Sequence, residues 1–180
     1  MKRLLWGALA VLVLGTGTAR AGSIGVGFFG GASVPVLQDD QDDGSIYGVR
    51  IPVKLVPLIT VEPYYASAQL GDKTFDIAPG ITVTREGSEV YSYGVNGMLT
   101  VGGPLNFYPF VGMGVAKYER SGQEDTFTSF QGGVGLAIHP LPKLGLDLRA
   151  ELQAAASDGG TARKLLNITL GASYALFSLP

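Results

Sequence analysis

Three charged side chains in the segment LGLDLRAELQAA, Asp147, Arg149 and Glu151, are the residues best placed to do chemistry. Two carboxylates near each other can act as general acid and general base. The segment alternates leucine or alanine with polar residues, so all three charges fall on one face of a strand. The cation between the two acids is then most simply their partner, and the spacing predicts a structural ion-pair group instead of a catalytic pair.

A second candidate lies near the start of the chain, where residues 25–30, GVGFFG, match the G-x-G-x-x-G pattern of dinucleotide-binding loops. That pattern carries meaning only between a strand and a helix of a βαβ unit. Here the glycines alternate with Val26 and Phe28, which predicts a strand whose inward-facing positions are glycines and so have no side chain. We expect no dinucleotide and no other cofactor.

Metal chemistry is also disfavoured. Four aspartates, at positions 39, 40, 42 and 43, superficially resemble a calcium-binding loop, but Gln41 and Arg50 occupy positions where that loop needs ligands. The chain has no cysteine, which excludes disulfides, thiolate metal sites and a cysteine nucleophile. We predict a solvated acidic loop and no metal site.

The first 21 residues have the three parts of a secretory signal peptide. These are Lys2 and Arg3, an apolar run over 4–14, and Ala19-Arg20-Ala21 as a cleavage site. We expect cleavage after Ala21 and one exported domain over residues 22–180. Three of the 13 Lys and Arg fall in the signal, so this domain has ten basic residues against 15 acidic ones, a net charge of −5. An acidic exported chain without a basic block predicts no nucleic-acid partner.

In the segments that carry these charges, apolar and polar residues alternate with a period of two. No apolar run after the signal approaches the roughly 18 residues of a membrane helix, although 46% of the chain is hydrophobic. Instead, apolar and polar residues alternate in segment after segment, most clearly over 144–154 and 166–176. This alternation is typical of strands that have one apolar and one polar face.

About eight such segments follow one another, each near the roughly 9–11 residues that a tilted membrane-crossing strand needs. They lie near 22–34, 46–56, 59–70, 91–101, 108–118, 129–139, 144–154 and 166–176. The connections are long after the first, third, fifth and seventh segments and short after the others. The pattern predicts an all-β, eight-stranded antiparallel up-and-down barrel with long loops at one end and tight turns and both termini at the other.

Charges in mid-strand on the polar face distinguish the inside of this barrel from its outside. The interior of an eight-stranded barrel is just wide enough for side chains to fill it, and glycines opposite long side chains make the volumes fit. We therefore predict a plugged polar lumen with an apolar exterior. The predicted lumen ionic network consists of Arg50, Glu62, Asp147, Arg149 and Glu151.

With these features the chain resembles the small eight-stranded outer-membrane barrels, the group that contains the OmpA transmembrane domain and OmpX. The resemblance rests on the glycine-rich first strand, on YPFVGMGV after a short turn, and on GLDLRAEL. It implies a transmembrane β-barrel in the bacterial outer membrane, inserted by the barrel-assembly machinery, monomeric, and in contact with outer-membrane lipid and lipopolysaccharide. The implied role is non-enzymatic, in envelope integrity or in external contacts made by surface loops.

His139 tests that last expectation, because some barrels of this size modify lipid A with serine and histidine near the outer leaflet. His139 is the only histidine and lies in AIHPLPK, which the topology places in a turn at the periplasmic end. It is therefore at the wrong end for that chemistry, and we expect no catalytic residues.

The alternative interpretation is a soluble exported barrel of the lipocalin type that binds an apolar ligand. Aromatic residues near the strand ends favour the membrane barrel, because such residues form girdles at the two membrane interfaces. The predicted girdle residues are Tyr47, Tyr91, Tyr93, Phe107, Tyr108 and Tyr174.

Overall fold

The computed structural model describes residues 22–36, 41–78, 81–102, 105–156 and 162–178, and the predicted signal peptide lies outside them. Within these ranges there is no helix long and apolar enough to cross a membrane. The strands are β1 (Ser23–Pro35), β2 (Asp42–Arg50), β3 (Val53–Val56), β4 (Ile59–Gly71), β5 (Lys73–Ala78), β6 (Ile81–Arg85), β7 (Glu89–Leu99), β8 (Val101–Gly102), β9 (Leu105–Arg120), β10 (Gln123–Leu141), β11 (Leu144–Ala156) and β12 (Arg163–Ser178).

The strands form a closed antiparallel barrel. Each neighbour in the order β1, β2, β4, β7, β9, β10, β11, β12 pairs with the next, and β12 pairs back to β1, with Val26 opposite Tyr174. The short β3 continues β2 past Pro52 and pairs with both β1 and β4, while β8 continues β7. These continuations make eight barrel strands, which confirms the predicted fold class.

The alternation of the sequence becomes the two faces of the barrel wall. Leu148 is 45% exposed on the outside, whereas its neighbour Arg149 is 8% exposed and points inward. The glycine motif of β1 behaves in the same way: Phe28 is exposed, while Gly27 and Ser33 are buried on the inward face. Because the apolar face is outside, the structure does not favour the lipocalin-like alternative.

Two connections differ from the sequence expectation. The link between β9 and β10, expected to be a long loop, is a two-residue turn of Ser121 and Gly122, both with positive φ. Positive φ at both central residues suits the right-handed twist of a hairpin, so the two strands continue paired as far as Arg120 and Gln123. The long segment after β4 is also more ordered than expected, because β5 and β6 form a separate two-stranded sheet there.

Candidate functional site

The middle of the lumen holds four charged side chains, which we call the ionic layer: Arg50, Glu62, Asp147 and Arg149. Arg50 ends β2, Glu62 lies on β4, and the other two lie on β11. All four point inward, and the side chains of Arg50 and Glu62 are 2% and 1% exposed. Four of the five residues predicted for the lumen network are therefore in contact with one another.

Arg149 and Glu62 form the strongest pair of the layer. Arg149 donates from Nη1 to Glu62 Oε1 at 2.6 Å and from Nη2 to Oε2 at 2.9 Å, the two-bond fork that matches a guanidinium to a carboxylate. Its Nε also donates to the Tyr108 hydroxyl at 2.9 Å, and its guanidinium lies 5.3 Å from the Phe110 ring centroid. These contacts fix the Arg149 side chain in one orientation.

Arg50 connects the other two members of the layer. Its Nη2 donates to Asp147 Oδ2, and its Nε lies 3.8 Å from Glu62 Oε2. The guanidinium also stands 5.5 Å from the centroid of Phe29. A Cβ atom on Gly171 would collide with Arg50 Nη2, so the absence of a side chain there makes room for the cation.

Glu151, the fifth predicted residue, is inward-facing but is not ion-paired to either arginine. Its Oε1 accepts a hydrogen bond from Asn167 Nδ2 at 3.1 Å, and Asn167 Oδ1 in turn accepts one from Ser33 at 2.8 Å. Two positions along a strand amount to about 7 Å, which places Glu151 one level above Arg149. At this level Glu151 therefore has the side-chain amide of Asn167 as its partner instead of an arginine.

Sequence reasoning missed several polar residues that complete the layer. Tyr108, predicted for the girdle, points inward instead and is 5% exposed, so that prediction was wrong. Its neighbour Phe107 is the residue that faces outward, since two adjacent strand residues cannot share a face. Asn96 links Glu62 to Gln131, with Gln131 Nε2 donating to Asn96 Oδ1 at 2.7 Å.

Above the ionic layer, toward the long loops, the lumen is filled by side chains. A cavity of about 20 Å³ remains there, lined by residues that include Phe29 and Glu151. That volume holds about one water molecule. Farther up lies an apolar cluster, which we call the upper cluster: Ile46, Ala66, Ala68, Leu70, Val90, Ala116, Tyr118, Ala155 and Leu165.

Below the ionic layer, at the short-turn end, the lumen widens into a cavity of about 360 Å³, which we call the vestibule. Its wall includes Lys54, Asn106, His139 and Lys143. His139 lies in the last part of β10 instead of in a turn, with its Nδ1 3.2 Å from Asn106 Nδ2. The side chains of the ionic layer close the inner end of this vestibule, and we call this inner end its floor.

Among the described residues, the remaining candidates do not come together in a site. Asp42 and Asp43 are exposed on β2, and the aspartates at 39 and 40 lie outside the described residues. Among the residues that the structure describes, no group of three or more His, Cys, Asp or Glu side chains could hold a metal ion.

Comparisons with known proteins agree with this architecture. The crystal structure of Neisserial surface protein A superposes with a TM-score of 0.61 at 11% identity, covering 87% of this chain and 98% of that one. The N-terminal barrel of Pseudomonas aeruginosa OprF gives 0.58 at 13% identity, over 88% and 100%. A major outer membrane protein of Thermus thermophilus gives 0.54 at 14% identity, over 87% and 100%. At these identities the likeness shows the fold.

A search of curated proteins found no match. The family model described as the outer membrane protein beta-barrel domain matches residues 6–175, which is most of the chain. The match covers more than half of the chain and therefore shows the family. The chain belongs to the outer membrane protein β-barrel domain family and is a transmembrane barrel of the bacterial outer membrane.

Proposed function

We propose that this protein is a non-enzymatic outer-membrane barrel with a closed lumen, which presents its loops to the outside and contributes to envelope integrity or external contacts. The observation that carries the proposal is the ionic layer, which borders the vestibule on one side and the small upper cavity on the other. In this arrangement the short turns and both termini face the periplasm, and the long loops face outward.

The packing of the lumen supports closure. Glu62 and Arg50 are almost fully buried, and the space above them admits about one water molecule. Farther up, Val90, Ala116 and Leu165 are each 1% exposed or less, so these side chains are closed off from solvent. A hydrated ion crossing the barrel would have to displace both the ion pairs and the upper cluster.

The chemistry of the layer supports a non-enzymatic role. A general base needs a carboxylate that can reach a substrate proton, but both Glu62 oxygens accept hydrogen bonds from Arg149. Asp147 is ion-paired with Arg50 through Oδ2, and its Oδ1 is buried 3.4 Å from Arg149 Nε, so two guanidinium groups compensate its charge. These carboxylates hold the barrel interior together.

The outer surface supports the proposed contact with membrane lipid and the proposed outward orientation of the loops. Outward side chains such as Val111, Leu170 and Phe28 are more than 60% exposed and provide the apolar face for outer-membrane lipid. At the long-loop end, β5 and β6 stand apart from the barrel sheet, with Ile81 and Val83 exposed. We propose a monomer, inserted by the barrel-assembly machinery, that contacts lipopolysaccharide around this end.

Conductance across a planar bilayer tests closure. We expect purified wild-type monomer to produce no large, steady, porin-like channels, because the ionic layer and the upper cluster lie in series along the lumen. Leu148→Ala, which changes only the lipid-facing side, serves as a matched control and should behave in the same way. Steady channels from the wild-type protein would contradict the closed lumen.

A further inference from the structure

The vestibule is large enough to be a binding site, and among the described residues its opening lies at the short-turn end. Its volume of about 360 Å³ lies within the range of roughly 300–1,000 Å³ that is usual for small-molecule sites. It is lined by residues from several strands spread along the sequence, among them Pro52, Thr60, Thr100 and Ser173. The ionic layer closes its inner end, so a solute that enters the vestibule meets a floor of charged side chains.

The wall of the vestibule has more positive than negative charge. Its charged lining residues are Lys54, Lys143, Arg50, Arg149, Glu62 and Asp147, four basic and two acidic, which gives a net charge of +2. The two arginines are compensated by the two acids within the ionic layer. Neither lysine ammonium pairs with a carboxylate in the described part of the chain. The excess charge therefore belongs to Lys54 and Lys143.

The floor adds hydrogen-bonding capacity that the protein leaves unused. Arg50 has five N–H donors, of which one hydrogen bond, to Asp147, is formed. Asp147 Oδ1 is buried and has no hydrogen-bond partner, although it lies 3.4 Å from Arg149 Nε. Buried polar atoms are normally satisfied, so an unused acceptor at a cavity floor indicates a position for a donor from solvent or a ligand.

We propose that the vestibule binds a small organic polyanion that also carries a hydroxyl group. Its anionic groups pair with Lys54 and Lys143, and with the spare donors of Arg50, while its hydroxyl donates to Asp147 Oδ1. Cleavage after Ala21, as the sequence predicts, would add the α-ammonium group of Gly22, which lines the same cavity. The site goes beyond the proposed closed barrel: it makes the periplasmic end a receptor for a solute that does not pass through.

Calorimetric titration of the folded full-length barrel with citrate tests this site, because citrate has three carboxylates and one hydroxyl group. Tricarballylate is the same molecule without the hydroxyl and serves as the matched ligand. We expect saturable citrate binding at one site, and a dissociation constant about tenfold higher for tricarballylate, the effect of losing one hydrogen bond to a charged group.

Variants locate the binding in the vestibule. Lys54→Gln combined with Lys143→Gln should raise the citrate dissociation constant roughly tenfold, the effect of two partly exposed ion pairs. Lys164→Gln removes a lysine charge from β12 at the opposite end of the barrel and should leave binding unchanged. Absence of saturable binding, equal affinity for the two ligands, or equal effects of Lys164→Gln and the double variant would overturn the proposal. Conductance is measured separately, so an open lumen and an empty vestibule would be told apart.

Discussion

The ionic layer and the upper cluster fill the same lumen with opposite chemistry. In the ionic layer, Arg50, Glu62 and Arg149 are held by directional bonds, and each contacts at least two charged partners or aromatic rings. The upper cluster uses small side chains such as Ala116, which leave room for Leu165. It relies on contact area, which has no preferred direction.

The two regions also meet solvent differently. The upper cluster is covered toward the loops by aromatic and cationic side chains: the Arg163 guanidinium lies 4.7 Å from the Tyr118 ring centroid, and Phe127 packs edge-on against Tyr118 at 5.5 Å. The ionic layer borders the open vestibule. An apolar region can therefore lose side-chain atoms gradually, whereas the ionic layer loses stability as soon as one buried charge is left without its partner.

The largest expected effect comes from Arg149→Leu. This substitution removes the two hydrogen bonds to Glu62, whose side chain is 1% exposed and would keep only Arg50 at 3.8 Å and the hydrogen bond from Asn96 at 3.5 Å. Leaving a buried charge without its partner costs about 3–5 kcal/mol, less where water from the vestibule screens it. We expect a clear fall in the urea midpoint of barrel unfolding.

The double variant Glu62→Leu with Arg149→Leu tests whether the unpaired charge of Glu62 causes that loss of stability. It removes both partners of the fork, while the pair of Arg50 and Asp147 remains. Replacing a buried ion pair by apolar side chains is often nearly neutral, so most of the lost stability should return. A double variant as unstable as Arg149→Leu alone would show that the layer acts through packing and not through charge.

A smaller effect is expected from Leu165→Ala in the upper cluster. Leu165 is 1% exposed, and truncating a buried leucine leaves a cavity that costs about 2–3 kcal/mol, toward the low end of the usual range. The low end applies because this region lies next to the loops and can partly close around the gap. The urea midpoint of Leu165→Ala should fall between those of wild type and Arg149→Leu. A larger loss than that of Arg149→Leu would reverse the comparison between the two regions.

The sequence was sufficient for the barrel but not for all of its connections. Alternation assigned the faces of β1, β2 and β11 correctly, because a barrel wall has one lipid face and one lumen face along its whole length. It missed the hairpin of β5 and β6, whose signal in the sequence is the Pro79-Gly80 dipeptide between two alternating stretches. It also took charged residues near Ser121 for a loop, although a strand that extends beyond the membrane can carry charge on both faces.

Contacts within the lumen were harder to predict because they depend on register between strands distant in sequence. Parity placed Glu62 and Arg149 inside, but their pairing joins residues 87 positions apart, on strands that are not neighbours in the sheet. The girdle prediction included both Phe107 and Tyr108, although two adjacent strand residues cannot both face lipid, and it is Tyr108 that points into the lumen. The sequence could therefore predict which charges enter the lumen, but not that Glu151 would pair with an amide.

The smallest effect is expected on the lipid face, from Leu148→Ala. Leu148 neighbours Arg149 on β11 and is 45% exposed on the outside of the barrel. Lipid chains are as apolar as leucine and fill the space that the shorter side chain vacates, so no cavity remains. The urea midpoint should fall less than that of Leu165→Ala, because only the transfer of the removed methyl groups between lipid and water is lost, about 1–2 kcal/mol, and no cavity adds to it. Because the two substitutions are one residue apart, they share the strand, its two neighbouring strands and nearly the same depth, and they differ in the face they change. A midpoint for Leu148→Ala at or below that of Arg149→Leu would mean that this strand is stabilised from its lipid side and that the buried charges are not coupled to folding.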